Sequence, residues 1–143
     1  MDPTEPGYGY RAECRVDQFA RRADDAFLIK GALTDTGLVG DYASLSSRRH
    51  DLVIPAPLSK TTKIVYHLPE GSALSNLPEP LSLQTPFGSF DFSTEQRDGR
   101  TIIVHSRLSV DVARVPAGEY ELFRDFCLKI DQKLSETTTY RMQ

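Results

Sequence analysis

The stretch TIIVHSRLSVDVARVPAGEYELFRDFCLKIDQKL, residues 101–134, decides the fold, because its hydrophobic period changes once inside it. In the first part Ile102, Val104, Ser106, Leu108, Val110 and Val112 fall on one side, and Ile103, His105, Arg107, Ser109, Asp111 and Ala113 on the other. Period 2 predicts a half-buried β-strand. The chain then turns a corner at Val115-Pro116-Ala117-Gly118, after which Phe123, Phe126, Cys127, Ile130 and Leu134 recur at the spacing of one α-helical stripe. A helix over 118–134 follows, with Glu119 and Glu121 near its start and Lys129 and Lys133 near its end, matching the helix dipole. No Ser, Thr, Asp or Asn stands at its start, so the corner itself, rather than a side-chain oxygen, is expected to set its direction. Such a stripe needs a sheet or a second domain to cover it.

Outward from this stretch, most of the chain reads as short strands separated by Pro and Gly turns. Asp98-Gly99 sits between two alternating runs and is the pair favoured in a type I′ turn, where both central residues take positive φ. A two-residue hairpin between Phe90–Arg97 and Arg100–Val110 is expected. Leu81 to Thr85 alternates before the Pro86-Phe87-Gly88 turn. Lys60 to Leu68 puts Thr62, Ile64, Tyr66 and Leu68 on one face and Lys63, Val65 and His67 on the other. Asp51 to Ile54 is a short apolar run stopped by Pro55 and Pro57, as an edge strand would be. Towards the N-terminus, Tyr8 to Val16 alternates, Arg21 to Asp25 reads as a charged turn, and Ala26 to Leu33 as a strand covered on both faces. Residues 34–47 and 72–80 read as connections, residues 1–7 as a flexible lead, and Thr137 to Met142 as a final short strand. The expected class is mainly β: one domain over 1–143, an antiparallel β-sandwich or open barrel-like sheet, with a single C-terminal amphipathic helix packed on it.

Composition narrows the functional classes. The chain has 143 residues, enough for one unstapled core. Seventeen lysines and arginines against 20 aspartates and glutamates give a formal charge of −3, which offers no electrostatic case for nucleic acid. No apolar run is long enough to span a bilayer, so membrane insertion is not expected, and the start of the chain lacks the basic end and apolar core of a signal peptide.

The search for chemistry returns little. Cys14 lies on the apolar side of its expected strand and Cys127 on the helical stripe, where free cysteine behaves as a small hydrophobe. A Cys14–Cys127 disulfide is the next possibility if the protein is exported. A thiol hydrolase or acyltransferase using Cys14 or Cys127 would need a histidine to hold a thiolate, and no local signature supports one. His50, His67 and His105 are far apart in sequence, without the paired spacing of metal ligands, and no phosphate loop or nucleophile elbow is present. No catalytic, cofactor-binding or metal-binding residues are therefore assigned. Arg48-Arg49-His50 reads as a solvated strand start and only weakly as an anion site. Carbohydrate binding would need an exposed aromatic platform, and there is no Trp.

The order of motifs does carry a resemblance. Arg48-Arg49-His50-Asp51-Leu52-Val53-Ile54-Pro55-Ala56-Pro57, then Ile64-Val65-Tyr66-His67-Leu68-Pro69-Glu70-Gly71, then Leu77-Pro78, then Val115 to Phe126, resembles a bacterial module. It is the β-rich domain of unknown function that follows the transglutaminase-like domain in large exported bacterial proteins, and the likeness runs from about Arg48 to the end. In such proteins the catalytic Cys, His and Asp lie in the preceding domain, and no position here matches them. The resemblance implies a noncatalytic accessory or interaction domain, periplasmic or extracellular, whose partner is a neighbouring domain of the same protein or a second protein.

Overall fold

The computed structural model describes residues 17–30 and 37–143. The lead 1–7, the expected strand Tyr8 to Val16 with Cys14, any Cys14–Cys127 bridge, and the end of the run at 31–33 lie outside the described residues. Within them the chain is mainly β, in three antiparallel sheets with a C-terminal helix.

One four-stranded sheet is built from β4 (Leu58–His67), β6 (Leu81–Thr85), β7 (Gly88–Arg97) and β8 (Thr101–Val110), in the order β4-β8-β7-β6. The alternation read from sequence sets its two faces. Ile102, Val104, Leu108 and Val110 are buried on β8, with Ile64 opposite Val104 and Phe90 opposite Leu108, while His105 and Arg107 are exposed. A second sheet joins β1 (Arg21–Ala23), β2 (Ala26–Lys30), β10 (Thr137–Met142) and β5 (Ser72–Asn76), in the order β1-β2-β10-β5. The third is the pair β3 (Leu52–Val53) with β9 (Arg114–Val115).

The C-terminal helix begins as a 3-10 turn at Ala117–Glu119 and continues as α2, Tyr120–Ser135. Phe123, Phe126, Cys127, Ile130 and Leu134 are all buried, as the stripe predicts, and join one core with the inner face of the first sheet. Phe87, in the turn before β7, meets Phe123 edge-on with ring centroids 5.4 Å apart. Tyr140 of β10 stacks on Phe27 of β2 at 5.1 Å, and the same core reaches the second sheet through Ile29 and Tyr140. The expected final strand is present as β10.

Several local expectations are corrected. The Asp98-Gly99 hairpin forms, with φ of 52° and 66° at those residues, but the last ladder pair is Arg97 with Thr101, so the loop has three residues. Arg100 is excluded from the β7 ladder because its carbonyl accepts the Leu68 N–H at 2.8 Å, while the Gln96 side-chain amide takes the Gly99 carbonyl at 3.1 Å. Arg21–Ala23 is a strand, and only Asp24 and Asp25 turn, Asp24 with φ 56°. Residues 72–76, read as a connection, form β5 because β10 supplies a partner edge from the other end of the chain. Residues 38–42 form a short helix, α1 (Leu38–Tyr42), inside the segment read as loop.

The helix start also differs from expectation. The Asp51 carboxylate, 66 residues away in sequence, accepts the Ala117 N–H at 3.0 Å and so supplies the oxygen that no neighbouring residue provides. That hydrogen bond, with the Arg114 guanidinium 3.4 Å from its second oxygen, holds the Asp51 carboxyl below the usual carboxylate range.

Candidate functional site

Burial by α2 decides the state of the one cysteine among the described residues. Cys127 is 1% exposed, and loss of solvent, with the charge of Asp131 adding to it, pushes its thiol up to about 12. At neutral pH this sulfur is a protonated thiol packed among hydrophobes, the opposite of the electropositive, partly exposed setting that makes a nucleophile. It has no disulfide partner among the described residues.

The three histidines are all exposed. His67 on β4 and His105 on β8 lie on the outer face of the first sheet, away from α2. The His67 ring nitrogen is 3.4 Å from the Thr101 hydroxyl. His50 lies in the segment before β3, where its carbonyl accepts the Arg48 Nε–H at 3.4 Å. Among the described residues no three His, Cys, Asp or Glu side chains are grouped as metal ligands.

What α2 does position is a strap along its flank, beside the buried stripe, with Leu38 and Ala43 joining the same core. Asp131 accepts the Leu38 and Val39 N–H groups at 3.1 and 3.0 Å, capping α1, whose preceding Gly37 has φ 45° and no side chain to do so. Arg124 donates to the Ala43 carbonyl at 3.2 Å and the Tyr120 hydroxyl to the Leu45 carbonyl at 2.7 Å. The Arg48 guanidinium sits 5.6 Å over the Tyr120 ring. Part of the basic cluster is thus used in holding the strap, a role invisible in sequence because Arg48 and Tyr120 are 72 positions apart.

A groove of about 600 Å³, its lining mostly apolar, runs along the first sheet between Thr61, Ser82, Asp91 and Arg107 on one side and Ser93 and His105 on the other. Ladder register builds it. Thr61, Arg107, Asp91 and Ser82 stand side by side across β4, β8, β7 and β6, and His105 and Ser93 form the next row. The Ser82 hydroxyl donates to Asp91 Oδ1 at 2.6 Å. This arrangement sets one guanidinium donor, a histidine ring and one carboxylate acceptor side by side on the exposed face of the sheet. Sequence reading placed His105 and Arg107 on a wet face but missed their neighbours, since cross-strand pairing with β6 and β7 is not written in either strand alone.

The family model described as Domain of Unknown Function with solved-structure structure (DUF3858) matches residues 30–140. No curated protein matches the chain. A solved structure described as a "putative protease" from Parabacteroides distasonis ATCC 8503 superposes with a TM-score of 0.68 at 16% sequence identity. The match covers 83% of this chain and only 24% of that one, so the shared fold is about a quarter of a much longer protein.

Proposed function

The chain belongs to this family of domains of unknown function, DUF3858, and from that premise we propose that it is a noncatalytic accessory domain of a larger bacterial transglutaminase-like protein. It packs against a neighbouring domain or a protein partner, in an exported setting. The observation that carries this reading is the 24% coverage: the same fold exists as a minor part of a longer chain, which leaves room there for catalytic parts outside it. Two further features support it. The motif order at 48–57, 64–71 and 115–126 resembles the module that follows a transglutaminase-like domain, and Cys127 is a buried thiol whose pKa of about 12 disfavours a thiolate.

Acyl transfer needs a nucleophile, a base within hydrogen-bond reach and donors for the oxyanion, and loss of one such donor costs about 10²–10³ in rate. The test is to incubate the purified chain with amine-donor, peptide and ester substrates. No turnover is expected, and Cys14→Ala and Cys127→Ala have none to lose. Cys127→Ala should instead lower stability by about 1 kcal/mol, as ordinary core truncations do. Turnover abolished by either substitution in a variant that stays folded refutes the accessory reading in favour of a thiol hydrolase or acyltransferase.

A further inference from the structure

The strap along α2 belongs to no sheet. Its backbone bonds are local, from the Asp41 N–H to the Gly37 carbonyl and from the Ala43 N–H to the Val39 carbonyl, both at 2.9 Å. Among the described residues, the hydrogen bonds from residues 38–45 to the rest of the chain all end on side chains of α2. Asp131 accepts from Leu38 and Val39, Arg124 donates to Ala43, and Tyr120 donates to Leu45. A helix as short as α1 does not hold itself in water, and a segment without a ladder partner belongs to the part of a fold that opens at the lowest cost. The side chains of α2 therefore decide whether the strap stays shut.

Those side chains share one line of the helix with Cys127. Tyr120, Arg124, Cys127 and Asp131 follow one another at offsets of four, three and four, the spacing that stacks side chains along one face. Cys127 thus stands between the Arg124 and Asp131 tethers, which lie about 10 Å apart along the axis at the helical rise. The order of the tethers fixes the direction of the strap. Residues 38–39 are held at Asp131, Ala43 at Arg124 and Leu45 at Tyr120, so the strap runs antiparallel to α2 and its residues 40–42 pass at the level of Cys127. Leu38 and Ala43, at the two ends of that crossing, are buried, Val39 and Tyr42 pack against the same core, and Cys127 beneath is buried with them.

We propose that residues 38–45 are a latched cover over this flank of α2, and that the cover can open by itself while the sheet β4-β8-β7-β6 stays paired. With all tethers in place it stays shut under native conditions. When Asp131 or Tyr120 lets go, the strap lifts and Cys127 becomes reachable from solvent. Asp131 is the main latch, because its one carboxylate holds two backbone donors, and hydrogen bonds to an ionised acceptor are roughly twice as strong as neutral ones. The device does not rest on the accessory-domain reading: it governs when the thiol can be reached, whether or not the chain has chemistry of its own.

The experiment measures amide hydrogen exchange and iodoacetamide labelling of Cys127 side by side, at neutral pH without denaturant, on the full chain and on Asp131→Ala, Asp131→Asn and Tyr120→Phe. The informative amides are those of Asp41 and Ala43, whose own bonds lie within the strap and are untouched by the substitutions. In Asp131→Ala both should exchange about tenfold faster or more, the size of a lost hydrogen bond to a charged group, while β8 keeps its protection. Asp131→Asn keeps one acceptor oxygen and should give a smaller rise. Tyr120→Phe removes one hydroxyl and no charge, so strap exchange and Cys127 labelling should rise together, by about fivefold. That variant separates uncovering from the loss of the Asp131 charge, which by itself would ease ionisation of the thiol. The last two substitutions conserve shape and keep the test open if Asp131→Ala does not fold. Three results would overturn the proposal: strap amides that exchange while Cys127 stays unlabelled, β8 amides that lose protection together with the strap, or labelling that rises while Asp41 and Ala43 exchange as before.

Discussion

Replacing Gly88 with alanine should destabilise the protein by about 3 kcal/mol or more, the upper range for forcing extra volume into a packed interior. Gly88 opens β7 opposite Val110 of β8. A Cβ there would overlap the Ser109 carbonyl oxygen and lie 2.8 Å from the Ser109 carbonyl carbon and 2.9 Å from the Val110 Cα. All three are backbone atoms of the central strand, so no side chain can rotate away, and the strand itself must shift. The displacement would spread. The Gly88 carbonyl accepts the Thr85 hydroxyl at 2.9 Å, and the neighbouring Phe87 carries the edge-on contact to Phe123 that ties sheet to helix. Gly118→Ala is the control: nothing lies within 4 Å of its added Cβ, and its effect should stay within about 0.5 kcal/mol. Urea melts of the two variants check the pair, and equal midpoints would mean that β7 and β8 are not in this register.

Phe123→Ala should cost about 3–5 kcal/mol, the usual range for emptying a buried aromatic site. Phe123 is 1% exposed and packs edge-on against Phe87, in the turn between β6 and β7. Collapse around the missing ring is opposed because α2 is tied in place along its flank by Asp131, Arg124 and Tyr120. Leu122, one residue earlier, is 66% exposed, and Leu122→Ala should fall within about 0.5 kcal/mol of wild type. The contrast between adjacent positions reads the orientation of the helix directly. A similar loss at both would place the wrong stripe of α2 against the sheet.

The features legible in the sequence are those encoded within one element. Alternation from Ile102 to Val110 and the stripe from Phe123 to Leu134 each report burial through their own period, with one exception: Ile103, on the polar side of β8, is also buried. Features that need a distant partner were not legible. The cap on the C-terminal helix comes from Asp51, 66 residues earlier, and the cap on α1 from Asp131, more than 90 residues later. β5 has no strong alternation of its own and exists because β10 returns beside it; Arg21–Ala23 is wholly exposed and becomes a strand by pairing with β2. The site was the least legible part. His105 and Arg107 acquire their neighbours Lys63 and Asp91 only through the pairing of β4, β8 and β7. The sequence inventory of Cys and His pointed to thiol chemistry as the alternative, whereas the fold buries Cys127 and turns His67 and His105 to the opposite face of the sheet from α2.

The proposal that this domain has no thiol chemistry of its own is tested most directly by the reactivity of Cys127 in the native protein. The measurement is alkylation by iodoacetamide at neutral pH across a urea series, with peptide mass mapping to separate Cys127 from Cys14. A sulfur 1% exposed, with its pKa pushed up to about 12, should remain unlabelled under native conditions and react only as the protein unfolds, in step with the loss of tertiary structure. Rapid labelling of Cys127 in a chain that retains its native tertiary signal would contradict the account and return the thiol to consideration as a nucleophile.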